Sequence, residues 1–104
     1  MTDIVSVYAT FADEAEAERI AAALVDERLA ACANVLGPCR SIYRWQGEVA
    51  RADEVAALFK ARADKAEALL ARIAELHSYD VPCITVWPIA AALPAYADWV
   101  AKEG

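Results

Sequence analysis

The 104-residue chain has little glycine, one histidine and no long apolar run, and each shortage excludes a class of protein. With only 3 glycines, a glycine-rich loop that cradles phosphate is not expected. A Ser-His-Asp or Cys-His arrangement would have to use His77, and no pattern places a nucleophile beside it. No apolar stretch approaches the roughly 20 residues of a membrane-spanning helix, so no membrane is predicted as a partner.

Basic residues are scarce as well, because 10 lysines and arginines stand against 16 acidic residues, for a formal net charge of -6. Phosphate groups are bound mainly by lysine and arginine, so nucleic acid is not expected as a partner. The start of the chain, Met1 to Ile4, lacks the basic region and cleavage pattern of a signal peptide. A cytoplasmic protein is therefore expected.

The three cysteines, Cys32, Cys39 and Cys83, form no recognisable metal or redox motif. Six residues separate the first two, a spacing that fits neither a zinc knuckle nor a redox dithiol. We expect free thiols and no intrachain disulfide, as is usual in a reducing compartment.

What the sequence does contain is a regular succession of strand and helix patterns. Asp13 followed by Glu16 resembles a capping box and predicts a helix start. Gly37-Pro38 interrupts an apolar run, so the second strand should be bent, bulged or at an edge. The remaining predicted elements are a strand at Ile4 to Thr10, a first helix ending near Arg28 or Leu29, a second helix that starts at Asp64 with Glu67 and runs to Leu76, a strand at Ile84 to Trp87 and a helix opening at Leu93-Pro94.

The stretch Ser41 to Glu48 carries two large aromatics and a glycine, and predicts one arm of a β-hairpin. Tyr43 and Trp45 are two residues apart, so on a strand they share a face. The following segment, Asp53 to Arg62, has the composition of a helix but also alternates as a strand does. Because an unpaired hairpin arm would leave backbone groups without partners, a strand is preferred there.

The resulting order is strand, helix, strand, strand, helix, strand and C-terminal helix. This order predicts an α+β protein with a ferredoxin-like βαββαβ sandwich, an extended β-hairpin arm and a C-terminal helix, in one domain spanning residues 1–104. Helices would cover one face of the sheet. Because the composition is 60% hydrophobic, we expect the other face to be covered by self-association.

Taken together, these stretches resemble the CutA family of divalent-cation tolerance proteins. Each stretch alone is unspecific, but their ordered occurrence over nearly the whole chain is highly specific. The matching residues are Ala30 to Val35, Ser41 to Gly47, Glu54-Val55 with Lys60, Leu76 to Pro82 and Tyr96 to Trp99. The resemblance implies a tightly packed homotrimer with hairpin arms paired between subunits, no catalysis, and a link to tolerance of copper or other divalent metals.

The resemblance also directs attention to a cleft between subunits. The residues expected to line it are Tyr43, Trp45, Glu48, Lys60, His77 and Tyr79. For a metal, His77 is the first candidate ligand and Cys83 a distant second. Family members proposed to bind copper have a cysteine at the position of Ala9, so metal binding here should be weak and completed by water. The alternatives are a PII-like signalling module that binds a small ligand and a partner protein, or a small-metabolite enzyme.

Overall fold

The computed structural model of the protein describes residues 2–104. Among these residues, no helix is both long and apolar enough to cross a membrane. A single turn of 3₁₀ helix, Ala63–Lys65, precedes the second α-helix. The main elements are β1 (Ile4–Phe11), α1 (Glu14–Asp26), β2 (Cys32–Trp45), β3 (Glu48–Arg62), α2 (Ala66–Leu76), β4 (Ile84–Pro88) and α3 (Pro94–Glu103).

The four strands form one sheet in the order β2-β3-β1-β4, with every neighbouring pair antiparallel. The two βαβ units are interleaved, so that β3 lies between β1 and β2, and β1 lies between β3 and β4. This is the predicted ferredoxin-like arrangement, and the helical alternative for Asp53 to Arg62 is excluded because these residues pair in β3.

The hairpin of β2 and β3 extends beyond the rest of the sheet. Strand β1 pairs with β3 only from Val55 to Arg62, so residues 40–53 of the two strands pair with each other alone. We call residues 40–53 the hairpin arm. Its turn places Gln46 and Gly47 at φ of 50° and 83°, as a tight two-residue hairpin turn requires. The arm helps to make the molecule elongated, with principal extents of 44 × 26 × 22 Å.

The interruption predicted at Gly37-Pro38 is a β-bulge in an edge strand. The register of β2 against β3 shifts between Val35 and Gly37, and Leu36 is left without a partner and 58% exposed. Gly37 has φ of 103°, a conformation that few other residues adopt without strain. The bulge separates the body of the sheet from the hairpin arm.

The first helix ends earlier than the sequence pattern predicts, at Asp26 rather than at Arg28 or Leu29. Arg28 adopts the left-handed conformation with φ of 58°, a position that glycine usually takes. The N–H groups of Arg28 and Leu29 bond to the carbonyls of Val25 and Leu24, which completes a Schellman-type ending. An arginine at this position carried no sequence signal for a helix end.

The two faces of the sheet differ in what covers them. Helices α1 and α2 pack on one face over a fully buried core that includes Val7, Phe11 and Phe59. Helix α3 packs at one end of the opposite face, where Val100 contacts Ile4 and Ala31. The rest of this second face, which we call the open face, leads towards the hairpin arm and carries the site described below.

Candidate ligand-binding cleft

A cleft of about 680 Å³ lies on the open face, between the base of the hairpin arm and the segment that precedes β4. Its volume falls in the range typical of small-molecule sites. Side chains of β1, β2 and β3 form its floor and one wall, and residues 79–83 form the other. The lining residues are Tyr8, Thr10, Ser41, Tyr43, Trp45, Glu54, Tyr79, Asp80, Val81, Pro82 and Cys83.

Glu54 is the most buried charged side chain in this cleft, with 9% of its surface exposed. One carboxylate oxygen accepts a hydrogen bond from the Ser41 hydroxyl, and the other accepts one from the Tyr79 hydroxyl at 2.9 Å. A buried carboxylate requires such partners, because it would otherwise carry the full cost of desolvation. Glu54 therefore joins strands β2 and β3, at the base of the hairpin arm, to the segment after α2.

Two tyrosines of the cleft, Tyr79 and Tyr8, are held in their protonated form. Burial, together with the hydrogen bond to Glu54 and its negative charge, raises the pKa of Tyr79 to about 12. Burial also raises the pKa of Tyr8, and the nearby Cys39 adds to the effect. At neutral pH the neutral phenols of Tyr79 and Tyr8 consequently lie in the same cleft as the buried carboxyl group of Glu54.

The segment that carries Tyr79 is anchored from the helical side of the sheet. Glu16, buried in the first turn of α1, accepts hydrogen bonds from the backbone N–H of Ala12 at 3.0 Å and of Ser78 at 2.9 Å. Burial alone would raise the pKa of Glu16, but these hydrogen bonds outweigh it and the pKa is lowered. The predicted cap is also present, since Asp13 accepts from the Glu16 N–H at 2.8 Å.

His77 provides a second anchor for this segment. Its Nε2–H donates to the Thr10 carbonyl at 2.7 Å, and its Nδ1 accepts from the Tyr79 N–H at 3.1 Å. The ring stacks on Phe11 with centroids 5.0 Å apart and is 8% exposed. Both ring nitrogens are thus engaged, so metal binding by His77, which stays a prediction, would require the bond from Tyr79 to break.

The structure brings together some of the residues predicted for the cleft and separates others. Those that line it are Tyr43, Trp45 and Tyr79, and Cys83, which was predicted as a metal ligand, lines it as well. Glu48 lies at the exposed tip of the arm, opposite Trp45 in the strand register. Lys60 donates to the Asn34 side chain at 2.6 Å, and His77 lies behind Tyr79, so within one chain these three side chains do not line the cleft.

Several cleft residues were not singled out from the sequence, above all Glu54, Ser41 and Tyr8. A signal for them existed, because β1 alternates apolar residues with Ser6, Tyr8 and Thr10, and β3 places Glu54 on the face opposite Val55. Polar residues that alternate on a central strand mark a face that is not covered by the core helices.

The described residues offer no ready-made metal centre. Within residues 2–104, no group of three or more His, Cys, Asp or Glu side chains is placed to hold a metal ion. Cys83 is exposed, whereas Cys32 and Cys39 are partly buried, and all three are free thiols. Cys32 lies 3.3 Å from the Tyr96 hydroxyl, a contact between β2 and α3 rather than part of the cleft.

Comparison with known proteins places this geometry in a family. A family profile described as CutA1 divalent ion tolerance protein matches residues 5–103. The divalent-cation tolerance protein CutA of Thermus thermophilus is 45% identical over 97 residues, which are 93% of this chain and 94% of that protein.

Solved structures agree with this match. The crystal structure of CutA from Xylella fastidiosa superposes with a TM-score of 0.95 at 35% identity, covering 98% of both chains. A structure from Archaeoglobus fulgidus, named as the periplasmic divalent cation tolerance protein CutA, gives a TM-score of 0.93 at 35% identity over 96% of this chain and 97% of its own. That name differs from the cytoplasmic location expected here, which stays a prediction. With both sequence and structure matched over nearly their full length, the chain belongs to the CutA family of divalent-cation tolerance proteins.

Proposed function

We propose that the protein binds a small ligand in the cleft and takes part, as a homotrimer, in the response to divalent metal ions. The observation that carries the proposal is the cleft itself. It combines aromatic walls with a buried carboxylate whose two oxygens are already oriented by Ser41 and Tyr79. Pre-oriented polar groups in a mostly apolar cavity are typical of small-molecule sites.

A binding role is proposed in preference to catalysis. The two groups best suited to proton transfer, Glu54 and Tyr79, are hydrogen-bonded to each other, and the pKa of Tyr79 lies far above neutral. A general acid or base works best with a pKa near the working pH, which Tyr79 does not have. Signalling to a partner protein in the manner of PII is the alternative consequence of ligand binding.

The homotrimer is supported by the apolar side chains that the single chain leaves exposed. Ile42, Val49 and Trp87 are 62%, 61% and 47% exposed, and two of them lie on the hairpin arm. We propose that subunits meet through the hairpin of β2 and β3, around Ser41 to Ala61, and through β4. Light scattering at micromolar protein concentration should give a trimer mass, and a monomer mass would contradict this assembly.

Metal binding is proposed to be weak, with His77 and Cys83 as protein ligands and copper or zinc as the ion. Thiolate and neutral imidazole suit these ions, but too few ligands converge for a closed tetrahedral site. Calorimetric titration with copper and zinc should show reduced binding in His77→Ala and in Cys83→Ser. Tight binding that survives both substitutions would place the ligands elsewhere.

Ligand binding in the cleft is tested by protein-observed NMR with a panel of neutral, cationic and anionic small molecules. The expected result is a set of shifts centred on Tyr43, Trp45 and Tyr79 for at least one compound, and their loss in a variant that fills the cleft, Ser41→Phe. A panel that leaves the cleft resonances unchanged at millimolar concentration would contradict the proposed function.

A further inference from the structure

Residues 77–83, which we call the connecting segment, join α2 to β4 and include one wall of the cleft. Both ends of this segment are bonded to one residue of the central strand β1. The Thr10 carbonyl accepts from the His77 Nε2–H at 2.7 Å, and the Thr10 N–H donates to the Cys83 carbonyl at 3.3 Å. Because these bonds lie within one chain, they do not depend on what covers the open face.

Glu16 holds the connecting segment from the helical side of the sheet. It is 6% exposed, and each carboxylate oxygen accepts one backbone N–H. Oε1 accepts from Ala12 at 3.0 Å, and Oε2 accepts from Ser78, 62 positions along the chain, at 2.9 Å. Two N–H donors require two acceptor atoms, which a carboxylate has and a carboxamide lacks. Glu16 therefore fixes the connecting segment to the start of α1 in a way that glutamine cannot reproduce.

A role in capping α1 does not account for both bonds. In a capping box, the glutamate at the third helical position accepts from the N–H of the N-cap residue, which is Asp13 here. Glu16 instead reaches the residue before Asp13 with one oxygen and the connecting segment with the other. The second oxygen thus serves the segment that carries the cleft wall rather than the helix.

The connecting segment carries this restraint through to the open face. The Tyr79 N–H donates to the His77 Nδ1 at 3.1 Å, and the two rings lie 4.7 Å apart between centroids. The Tyr79 hydroxyl then donates to Glu54 at 2.9 Å. Since Tyr79 directly follows Ser78, a backbone shift at Ser78 would also move the Tyr79 hydroxyl.

From these contacts we propose that Glu16 is a positioning residue for the cleft, which acts through the connecting segment to hold the Tyr79 hydroxyl against Glu54. The proposal rests on the proposed binding function, because it assigns the regulation of that same site to the helical side of the sheet. Such coupling is reciprocal. A ligand that displaces Tyr79 from Glu54 would therefore loosen the bond between Glu16 and the exposed Ala12, and would transmit occupancy of the cleft to the outer surface of the protein.

A double-mutant cycle measures this coupling by urea denaturation of the full chain at equal protein concentration. In the Glu16→Gln background the Tyr79 hydroxyl is no longer held in place, so the loss of unfolding free energy caused by Tyr79→Phe should fall by about half or more. Glu18→Gln removes the same charge from the exposed surface of α1 and should leave the cost of Tyr79→Phe unchanged. Tyr96→Phe is the matched control at the second position, because its hydroxyl contacts Cys32 outside the cleft, and its cost should be equal with and without Glu16→Gln.

Amide hydrogen exchange gives a second measurement, which a simple helix cap would not change and which needs no substitution of Glu16. Tyr79→Phe should speed exchange of the Ala12 N–H about threefold or more relative to the N–H of Val7, a core residue that reports global unfolding. Tyr96→Phe should leave this ratio unchanged.

Additive costs in the cycle, or an unchanged exchange ratio for Ala12 in Tyr79→Phe, would overturn the inference and reduce Glu16 to a structural residue. Circular dichroism shows whether Glu16→Gln is folded, and if it is not, the exchange ratio alone decides. Neither measurement uses a ligand, so the two proposals fail separately. Additive costs together with ligand binding in the cleft would remove the coupling and keep the proposed function. Coupling without binding of any compound at millimolar concentration would contradict the proposed function and leave the link between Glu16 and Tyr79 in place.

Discussion

The two faces of the central strand β1 show how one short sequence builds both a core and a site. Val5, Val7, Ala9 and Phe11 point into the core beneath α1 and α2, whereas Ser6, Tyr8 and Thr10 point to the open face. Both faces are largely buried at this strand, since Ser6 and Thr10 are only 8% and 5% exposed.

The two faces differ in the interactions that stabilise their buried side chains. The core face gains from apolar area removed from water and from close packing. The open face instead buries hydroxyl and carboxyl groups, and these are paired: within residues 2–104, no buried side-chain nitrogen or oxygen lacks a hydrogen-bond partner. The core face therefore contributes mainly to stability. The open face contributes less to stability but holds polar groups in fixed orientations.

The largest expected change in unfolding free energy comes from β3, where neighbouring residues lie on opposite faces of the sheet. Phe59→Ala should lower the free energy of unfolding by about 3–5 kcal/mol, because Phe59 is fully buried against Phe11 in the core. Leu58→Ala, one residue earlier and half-buried on the open face, should cost less than about 2 kcal/mol. Urea denaturation at equal protein concentration measures both values, and similar costs would contradict the division between the faces.

A smaller effect is expected where the helical side supports the cleft. Glu16→Gln should lower the free energy of unfolding by about 1.5–3 kcal/mol at neutral pH, because charge-assisted bonds to Ala12 and Ser78 are weakened. Since the pKa of Glu16 is lowered in the folded state, its contribution is present above the ordinary value of 4.5 and is lost as pH falls through the folded value.

Denaturation at about pH 7 and about pH 3 checks this linkage. The difference between wild type and Glu16→Gln should shrink at the lower pH, whereas Glu18→Gln, on the exposed surface of the same helix, should differ little from wild type at either pH. A Glu16→Gln difference that stays constant with pH would show that its carboxylate charge plays no part.

The smallest effect concerns the hydroxyl that reaches across the cleft. Tyr79→Phe should cost about 1 kcal/mol of unfolding free energy, since it removes one hydrogen bond to Glu54 and leaves the ring in place. It should also remove from the ultraviolet titration one tyrosine with a pKa of about 12. Tyr43→Phe serves as the control for the unfolding free energy, and an equal loss of stability in that variant would contradict the role assigned to the hydrogen bond between Tyr79 and Glu54.

Much of the fold follows from local patterns in the sequence. The strand-rich composition of Ile4 to Thr10, the alternation within Asp53 to Arg62, the Asp13 cap, the Gly47 turn and the Gly37-Pro38 interruption each predicted the observed element. The early end of α1 was not predicted, because Arg28 occupies the left-handed position after the helix where glycine usually marks a helix end.

The site was less accessible than the fold, because its contacts join residues distant in sequence. Glu54 meets Ser41 and Tyr79, which lie 13 and 25 positions away, and the buried position of His77 depends on Thr10, 67 positions away. Tyr43, Trp45 and Tyr79 could be selected as aromatics in otherwise polar stretches. The buried carboxylate that joins them could be identified only after the strands were aligned.

The most direct test of the account is a map of where small molecules bind. Two-dimensional NMR of the labelled protein, titrated with a panel of neutral, cationic and anionic small molecules, should shift backbone and side-chain signals of Ser41, Glu54 and Tyr79 on the open face for at least one compound and leave the core signals of Leu24 and Ile73 unmoved. Saturable shifts confined to the helical side, or no saturable shift in the cleft at millimolar concentration, would contradict the claim that the open face is the ligand-binding face of this protein.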